Sequence, residues 1–217
     1  MAKITYKNML QLLRLQKYEK FLNYDKVIDI GIDTMWKDLC KDIPKDIDAT
    51  DIFAEEMEEL RMTQYSMKLM NICCLCETWE QDLYNFLKER GLIETFSNEY
   101  KDTKQIFERE YPSCAISNYP NITEMRMLVN TIKHGEGRSL TNLRRHASDS
   151  MFVDSNIRLV DKYGNVIIKK EIEYDGNPLT SQTLNTNGKL QVYKETIIKF
   201  WKDVYTLEKD RETTPEL

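Results

Sequence analysis

Apolar residues recur along most of this chain at intervals of three and four, the spacing that gathers them on one face of an α-helix. Residues 3–23 set Ile4, Leu10, Leu13, Tyr18, Phe21 and Leu22 among lysines and glutamines, which predicts a first amphipathic helix. A shorter helix is expected over 26–42, around Ile28, Ile32, Met35, Trp36 and Leu39. Pro44 and the acidic stretch that follows, to Asp51, read as a loop. Between residues 52 and 90 no Gly or Pro intervenes, so one long helix, or two nearly collinear ones, is expected. Glu55, Glu56, Glu58 and Glu59 lie at its start, where the helix dipole favours acids. Met57, Leu60, Met67, Met70, Cys74, Trp79, Leu83 and Phe86 supply a core stripe, and Gly91 suits the position just past the end.

A fourth helix is expected over 95–108, followed by a proline-bearing loop over 111–120. Asn121 then opens a helix with Glu124 three residues on, a capping-box pattern, and Gly135 and Gly137 close it. After Arg145 the period changes. The β-branched runs 157–160 and 166–174, joined by a turn-forming stretch with Gly164, predict a hairpin. Asn187-Gly188 marks a further turn, and a last helix over 190–209 carries Val192, Tyr193, Ile197, Phe200, Trp201 and Leu207. The expected fold is mainly α. A single domain over 1–217 comprises a helical bundle (1–146), a β-hairpin and loop insert (147–187) and a C-terminal helix (188–210).

Composition fits this picture: 41% hydrophobic and 31% charged residues describe a globular chain rather than a disordered or membrane one. The net charge of −5 excludes a generally basic nucleic-acid coat and leaves room for a local patch. Such a patch exists: residues 121–146 hold five Lys or Arg against two acids. The N-terminus lacks the apolar core of a secretion signal, and no apolar run approaches the roughly 20 residues of a membrane span. A cytoplasmic protein without membrane association is expected, and five cysteines suit a reducing compartment.

Several features with chemical potential have simpler readings. Cys73, Cys74 and Cys76 cannot surround a zinc ion without a second ligand pair, which the sequence lacks, so they read as core. Glu77 and Glu80 have no Glu-x-x-His partner for a di-iron bundle. Gly135-Glu136-Gly137 follows a helix instead of opening one, unlike a phosphate loop. No metal site and no cofactor are expected.

The chemistry concentrates in residues 122–137, because the chain's only two histidines, His134 and His146, lie in or just after this segment. With each helical residue advancing about 100° and Arg126 as zero, Asn130 falls near about +40°, His134 near about +80° and Lys133 near about −20°. Met125, Leu128 and Ile132 turn the other way, towards a core. Histidine alone exchanges protons near neutrality at its unperturbed pKa of about 6.5. An arginine beside it can hold a phosphate or neutralise charge developing there. Together they suit RNA cleavage without a metal, with Arg126 on the phosphate, His134 as acid or base and Asn130 orienting one of them. Lys133, Arg138, Arg144 and Arg145 are candidates for RNA-backbone contact.

The Arg126…Asn130…Lys133-His134 segment, in a late helix of an all-α chain, resembles the HEPN superfamily. Those proteins are helical bundles, often dimeric, and many are metal-independent endoribonucleases of toxin–antitoxin, abortive-infection and CRISPR-linked defence. Their signature is an arginine and a histidine four to six residues apart, commonly with a polar residue after the arginine. Arg126 and His134 match that pair, with a gap of seven residues and the apolar Met127 after the arginine. Asn130 stands as the polar member. The likeness extends in texture to residues 76–80 and to Phe200-Trp201. It implies a metal-independent endoribonuclease of prokaryotic defence or growth arrest, a homodimer, and an antitoxin or defence-system partner protein. The same resemblance also covers degenerate modules that bind nucleic acid or a protein partner without cleaving, and a purely structural subunit is a third reading.

Overall fold

One uninterrupted helix, α1 (Tyr6–Leu39), stands where the apolar pattern suggested two. The stretch between them, Asn23-Tyr24-Asp25-Lys26, is polar but contains no helix breaker. Gly31 costs about 1 kcal/mol relative to alanine in a helix, too little to end one. The computed structural model describes residues 6–44, 53–93, 100–135, 138–147, 151, 156–160, 166–171, 184, 186 and 188–213.

After α1 come α2 (Ala54–Glu89), α3 (Tyr100–Glu110), two short 3-10 turns (Pro112–Cys114 and Ile116–Asn118) and α4 (Pro120–His134). A nine-residue helix, α5 (Arg138–His146), follows, and α6 (Lys189–Thr213) ends the described chain. The fold is mainly helical. Between α5 and α6, β1 (Asn156–Val160) pairs antiparallel with β2 (Val166–Glu171), with Ile157 opposite Lys170 and Leu159 opposite Ile168. The expected turn between these runs and the residues 172–174 lie outside the described residues.

The helix ends follow from backbone chemistry. Gly91, at a φ of 67°, caps α2: its N–H donates to the Lys88 carbonyl and that of Leu92 to the Leu87 carbonyl. These paired bonds satisfy carbonyls that the helix leaves open, at a φ that suits glycine. Gly135, at 66°, ends α4 in the same region, its N–H donating to Thr131 at 2.8 Å. The start of α4 differs from expectation. The helix begins at Pro120, a residue suited to the first turn because its missing N–H has no partner there anyway. The expected capping pair turns to α6 instead. Asn121 donates to the Thr196 hydroxyl at 3.1 Å, and the Glu124 carboxylate accepts from Lys189 and Tyr193, both at 2.8 Å.

The chain divides into two units. The first holds the described residues of Met1–Val27, Met70–Arg126 and Gly188–Leu217, and the second those of Ile28–Leu69 and Met127–Asn187. Helices α1, α2 and α4 each run through both ranges.

The first unit is built on aromatic rings. Phe86 and Trp201 lie 5.4 Å apart, Phe200 and Trp201 5.1 Å, and Phe107 stacks on Tyr111 at 5.0 Å. Guanidinium groups cover the cluster, Arg90 over Phe86 at 3.7 Å and Arg14 over Trp201 at 4.9 Å. Carboxylates accept from the buried tyrosine hydroxyls: Asp82 from Tyr18 at 2.6 Å, Glu208 from Tyr111 at 2.7 Å, Asp203 from Tyr119 at 2.8 Å and Glu124 from Tyr193 at 2.8 Å. A buried hydroxyl or carboxylate left alone is costly, and each pair removes two such costs at once. In the second unit Leu69, Leu128, Val129, Ile132, Leu140, Leu143, Met151 and Leu184 are buried.

The apolar stripe expected for α2 holds at Trp79, Leu83 and Phe86, which are buried, and fails at Met67, Met70 and Cys74. Leu69, Ile72, Cys73, Cys76, Trp79, Leu83, Phe86 and Leu87 are buried, while Met67, Met70 and Cys74 are exposed. Both sets repeat at helical spacing, so periodicity alone could not choose between two apolar faces. Leu13, Met35 and Val192, expected in cores, are exposed as well.

Candidate functional site

Helix α4 carries the residues singled out by the sequence, and its own pattern orients them. Ile122, Met125, Leu128, Val129 and Ile132 are buried, which turns Arg126, Asn130, Lys133 and His134 towards the more accessible side. Arg126 belongs to the first unit; Asn130, Lys133 and His134 belong to the second.

Arg126 is occupied. Its Nε donates to Glu80 Oε1 at 2.5 Å, and its guanidinium lies 3.1 Å from the centroid of the Tyr100 ring. The side chain retains 23% of its exposure, so the pair is largely shielded from water. A shielded, charge-assisted hydrogen bond is stronger than a solvated one, and the ring face adds a further attraction for the cation. Burial pushes the Tyr100 hydroxyl pKa well up, and Glu80 and Cys76 push the same way against the pull of Arg126. The Cys76 thiol lies 3.9 Å from the same Glu80 oxygen. The bond to Glu80 engages Nε, so a phosphate held by the Nη groups would sit beside a carboxylate that repels it.

Glu80 is the residue that sequence reasoning missed. It entered only as one of two carboxylates that make no di-iron motif, yet it is the counterion of Arg126, 46 residues away along the chain. Helical periodicity relates residues on one helix and says nothing of pairs between helices. The neighbouring Trp79 is fully buried, and its ring nitrogen has no hydrogen-bond partner.

Asn130 is half-buried, whereas Lys133 and His134 are exposed in the last turn of α4. Arg138, Arg144, Arg145 and His146 are exposed on α5. That segment is a helix where a polar loop was the alternative to an RNA-gripping patch, because Leu140 and Leu143 give it an apolar face to bury. With Arg138 as zero, Arg145 falls near about −20° and Asn142 near about +40°, opposite the two leucines, and the two arginines stand about 10 Å apart along the axis. Cations at a helix C-terminus also complement its dipole, which favours Arg144, Arg145 and His146 where they are.

Among the described residues no group of three or more His, Cys, Asp or Glu is placed to hold a metal ion. Cys73 and Cys76 are buried in α2 and Cys74 is exposed, so the cluster is only partly core. No described helix is long and apolar enough to cross a membrane. No protein-family model, curated protein or solved structure matches the chain.

Proposed function

We propose that this chain is an HEPN-like helical module that binds RNA through the cationic end formed by His134, Arg138, Arg145 and their neighbours on α4 and α5. The observation that carries the reading is the contrast in exposure among its basic side chains. Arg126 is held by Glu80 and Tyr100, whereas His134, Arg138, Arg145 and His146 are exposed within a locally basic stretch of an acidic protein. Exposed guanidinium groups two turns apart on one helix suit phosphates, which bind through charge and fork-shaped hydrogen bonds. Lys133 and Arg144 lie in the same stretch and add to its positive potential. In this reading the strand pair before α6 is a β-hairpin embellishment of an HEPN-like bundle.

A cleaving version of the same reading assigns His134 as general acid or base, with Arg126 on the scissile phosphate and Asn130 positioning one of them. The exposure of His134 at the end of α4 favours it, because an accessible imidazole is what proton transfer to RNA requires. The capture of Arg126 by Glu80 opposes it. Cleavage would place the protein in prokaryotic defence or growth arrest, under the control of a partner protein.

Incubation of a labelled single-stranded RNA in EDTA, read by anisotropy and on a gel, tests both versions. The binding reading expects retention without cleavage, and weaker retention in Arg138→Ala and Arg145→Ala. Cleavage lost in His134→Ala would establish the nuclease, and no retention at low salt would dismiss both.

A further inference from the structure

In the second unit α1 and α2 share an apolar flank that lies open. Asp29 accepts from Gln64 and pairs with Lys68, both at 2.6 Å, which sets the two helices side by side. Along α1 the partners on α2 step backwards, Glu89 for Arg14, Asp82 for Lys17 and Asn71 for Phe21. The helices are therefore antiparallel, and both continue unbroken to the Asp29 contact. Among the described residues of 28–68 no side chain is buried, and Met35 and Met67 are 55% and 46% exposed. With Met35 as zero, Ile28 falls near about +20°, Gly31 near about −40° and Asp38 near about −60°, while Asp29 reaches α2 from about +120°. With Met67 as zero, Leu60 falls near about +20°, Glu56 near about −20° and Glu59 near about −80°, while Gln64 and Lys68 reach α1 from about +60° and about +100°. Equal rotations away from the contact lie on the same side of an antiparallel pair, so the two arcs form one flank. Because Asp29 lies between Gln64 and Lys68, Ile28 stands level with Met67 and Met35 with Leu60.

Charge points to what covers these two apolar rungs. Every ionisable residue within the two arcs is acidic: Asp38, Glu56 and Glu59, all exposed. Over residues 28–44 and 53–69 together, eight acids stand against four bases, and one of those bases, Lys68, is taken by Asp29. A Cβ on Gly31 would meet nothing within 4 Å, which leaves room for a side chain between the rungs. We propose that this flank docks a basic amphipathic helix of a partner protein, with one apolar row laid over Met35 and Met67 and lysines or arginines set against Asp38, Glu56 and Glu59. Methionine is unbranched and polarisable, so it moulds to the apolar row of an incoming helix. The rim carboxylates select that helix by charge and speed its encounter. They repel RNA, an anionic bilayer and the same flank of a second copy alike. The inference does not depend on RNA binding, which is placed on α4 and α5, and its test involves no RNA.

Fluorescence anisotropy of the full chain with a labelled leucine–lysine peptide of about five helical turns, patterned to carry one apolar row, tests this directly. Binding is expected, and M35K or M67K, both at exposed positions, should weaken it by about tenfold or more by setting like charge against the peptide. A peptide of the same composition with its leucines scattered should bind about tenfold less tightly. E56K/E59K should turn the preference to a leucine–glutamate peptide of the same pattern, whereas E195K, an exposed change on α6, should alter neither affinity. Circular dichroism confirms that each variant is folded. The proposal is overturned by an absence of binding, by equal binding of the scattered peptide, by binding that survives both M35K and M67K, or by a loss in E195K equal to that in E56K/E59K. Sedimentation supplies one more way to overturn it: a self-association of the wild type that M67K abolishes would assign the flank to a second copy.

Discussion

The two ends of α4 treat their basic side chains in opposite ways. Towards the start Arg126 is stacked on Tyr100 and bonded to Glu80; at the far end His134 stands exposed, with the arginines of α5 following it in the chain. Among the described residues of the first unit the Tyr18, Tyr111, Tyr119 and Tyr193 hydroxyls each bond to a carboxylate, whereas His134, Arg138, Arg145 and His146 are exposed. A buried charge left alone costs far more than an exposed one, so the first arrangement fixes structure, whereas the exposed side chains carry no such requirement. A cation's position in a sequence motif is thus weaker evidence of function than its availability.

The largest expected effect lies in the aromatic core. Trp201 is fully buried, contacts Phe86 and Phe200, and donates to the Tyr18 hydroxyl at 3.2 Å. Trp201→Ala should cost about 3–5 kcal/mol in urea-induced unfolding, from lost burial and the cavity left behind. A loss below 1 kcal/mol would mean that the cluster does not hold the first unit together. Next comes Asp82, which accepts from Lys17 and Tyr18 while itself only 5% exposed. Asp82→Ala strands the buried Tyr18 hydroxyl and should cost about 2 kcal/mol in the same measurement. Lys17, being 44% exposed, recovers its hydration and limits the loss.

The sharpest comparison sets Arg126 against Arg145. Arg126→Ala removes the counterion of a partly shielded carboxylate and should cost about 1 kcal/mol of stability, with RNA affinity retained. Arg145→Ala should do the reverse: stability within about 0.5 kcal/mol of wild type, and weaker RNA binding whose logarithmic salt slope falls by about 0.7, the value of one phosphate contact on a single strand. Loss of RNA binding in Arg126→Ala at unchanged stability would return the arginine to a ligand-binding role. The two variants together decide whether the divide drawn along α4 is real.

Much of this architecture was legible because helices advertise themselves locally. The unbroken span before Gly91, Gly135 after His134, and the apolar period of α6 are signals contained within a few turns. What escaped was set by partners distant in sequence. Asn121 and Glu124 have the spacing of a capping box, yet their side chains bond to residues of α6. The exposed Met67 and Met70 share their helical period with the buried residues, and only the packing of other helices chooses the inner face. The Arg126–Glu80 pair escaped for the same reason, since two residues on different helices share no period.

The smallest expected effect is a pH dependence confined to the first unit. Burial, together with the hydrogen bond to Glu208, pushes the Tyr111 hydroxyl up to about 12 from the ordinary 10.0. The folded chain therefore holds this proton more tightly than the unfolded chain does. Its contribution to stability is fully present below pH 10, declines as the unfolded chain ionises first, and is gone above about pH 12. Burial raises Tyr18, Tyr119 and Tyr193 in the same direction, each beside its own carboxylate. Urea-unfolding midpoints should accordingly fall as pH rises from 10 towards 12. Tyr111→Phe should fall less steeply, because Glu208 keeps its pair with Arg90 and the titrating hydroxyl is gone. The proposed RNA binding on α5 offers a control: Tyr111 lies in the first unit, so Tyr111→Phe should leave any RNA affinity measured near neutral pH unchanged. An identical alkaline fall in Tyr111→Phe would mean that the hydroxyl–carboxylate pair contributes nothing there, and the contrast between paired core hydroxyls and exposed basic side chains would lose its pH signature.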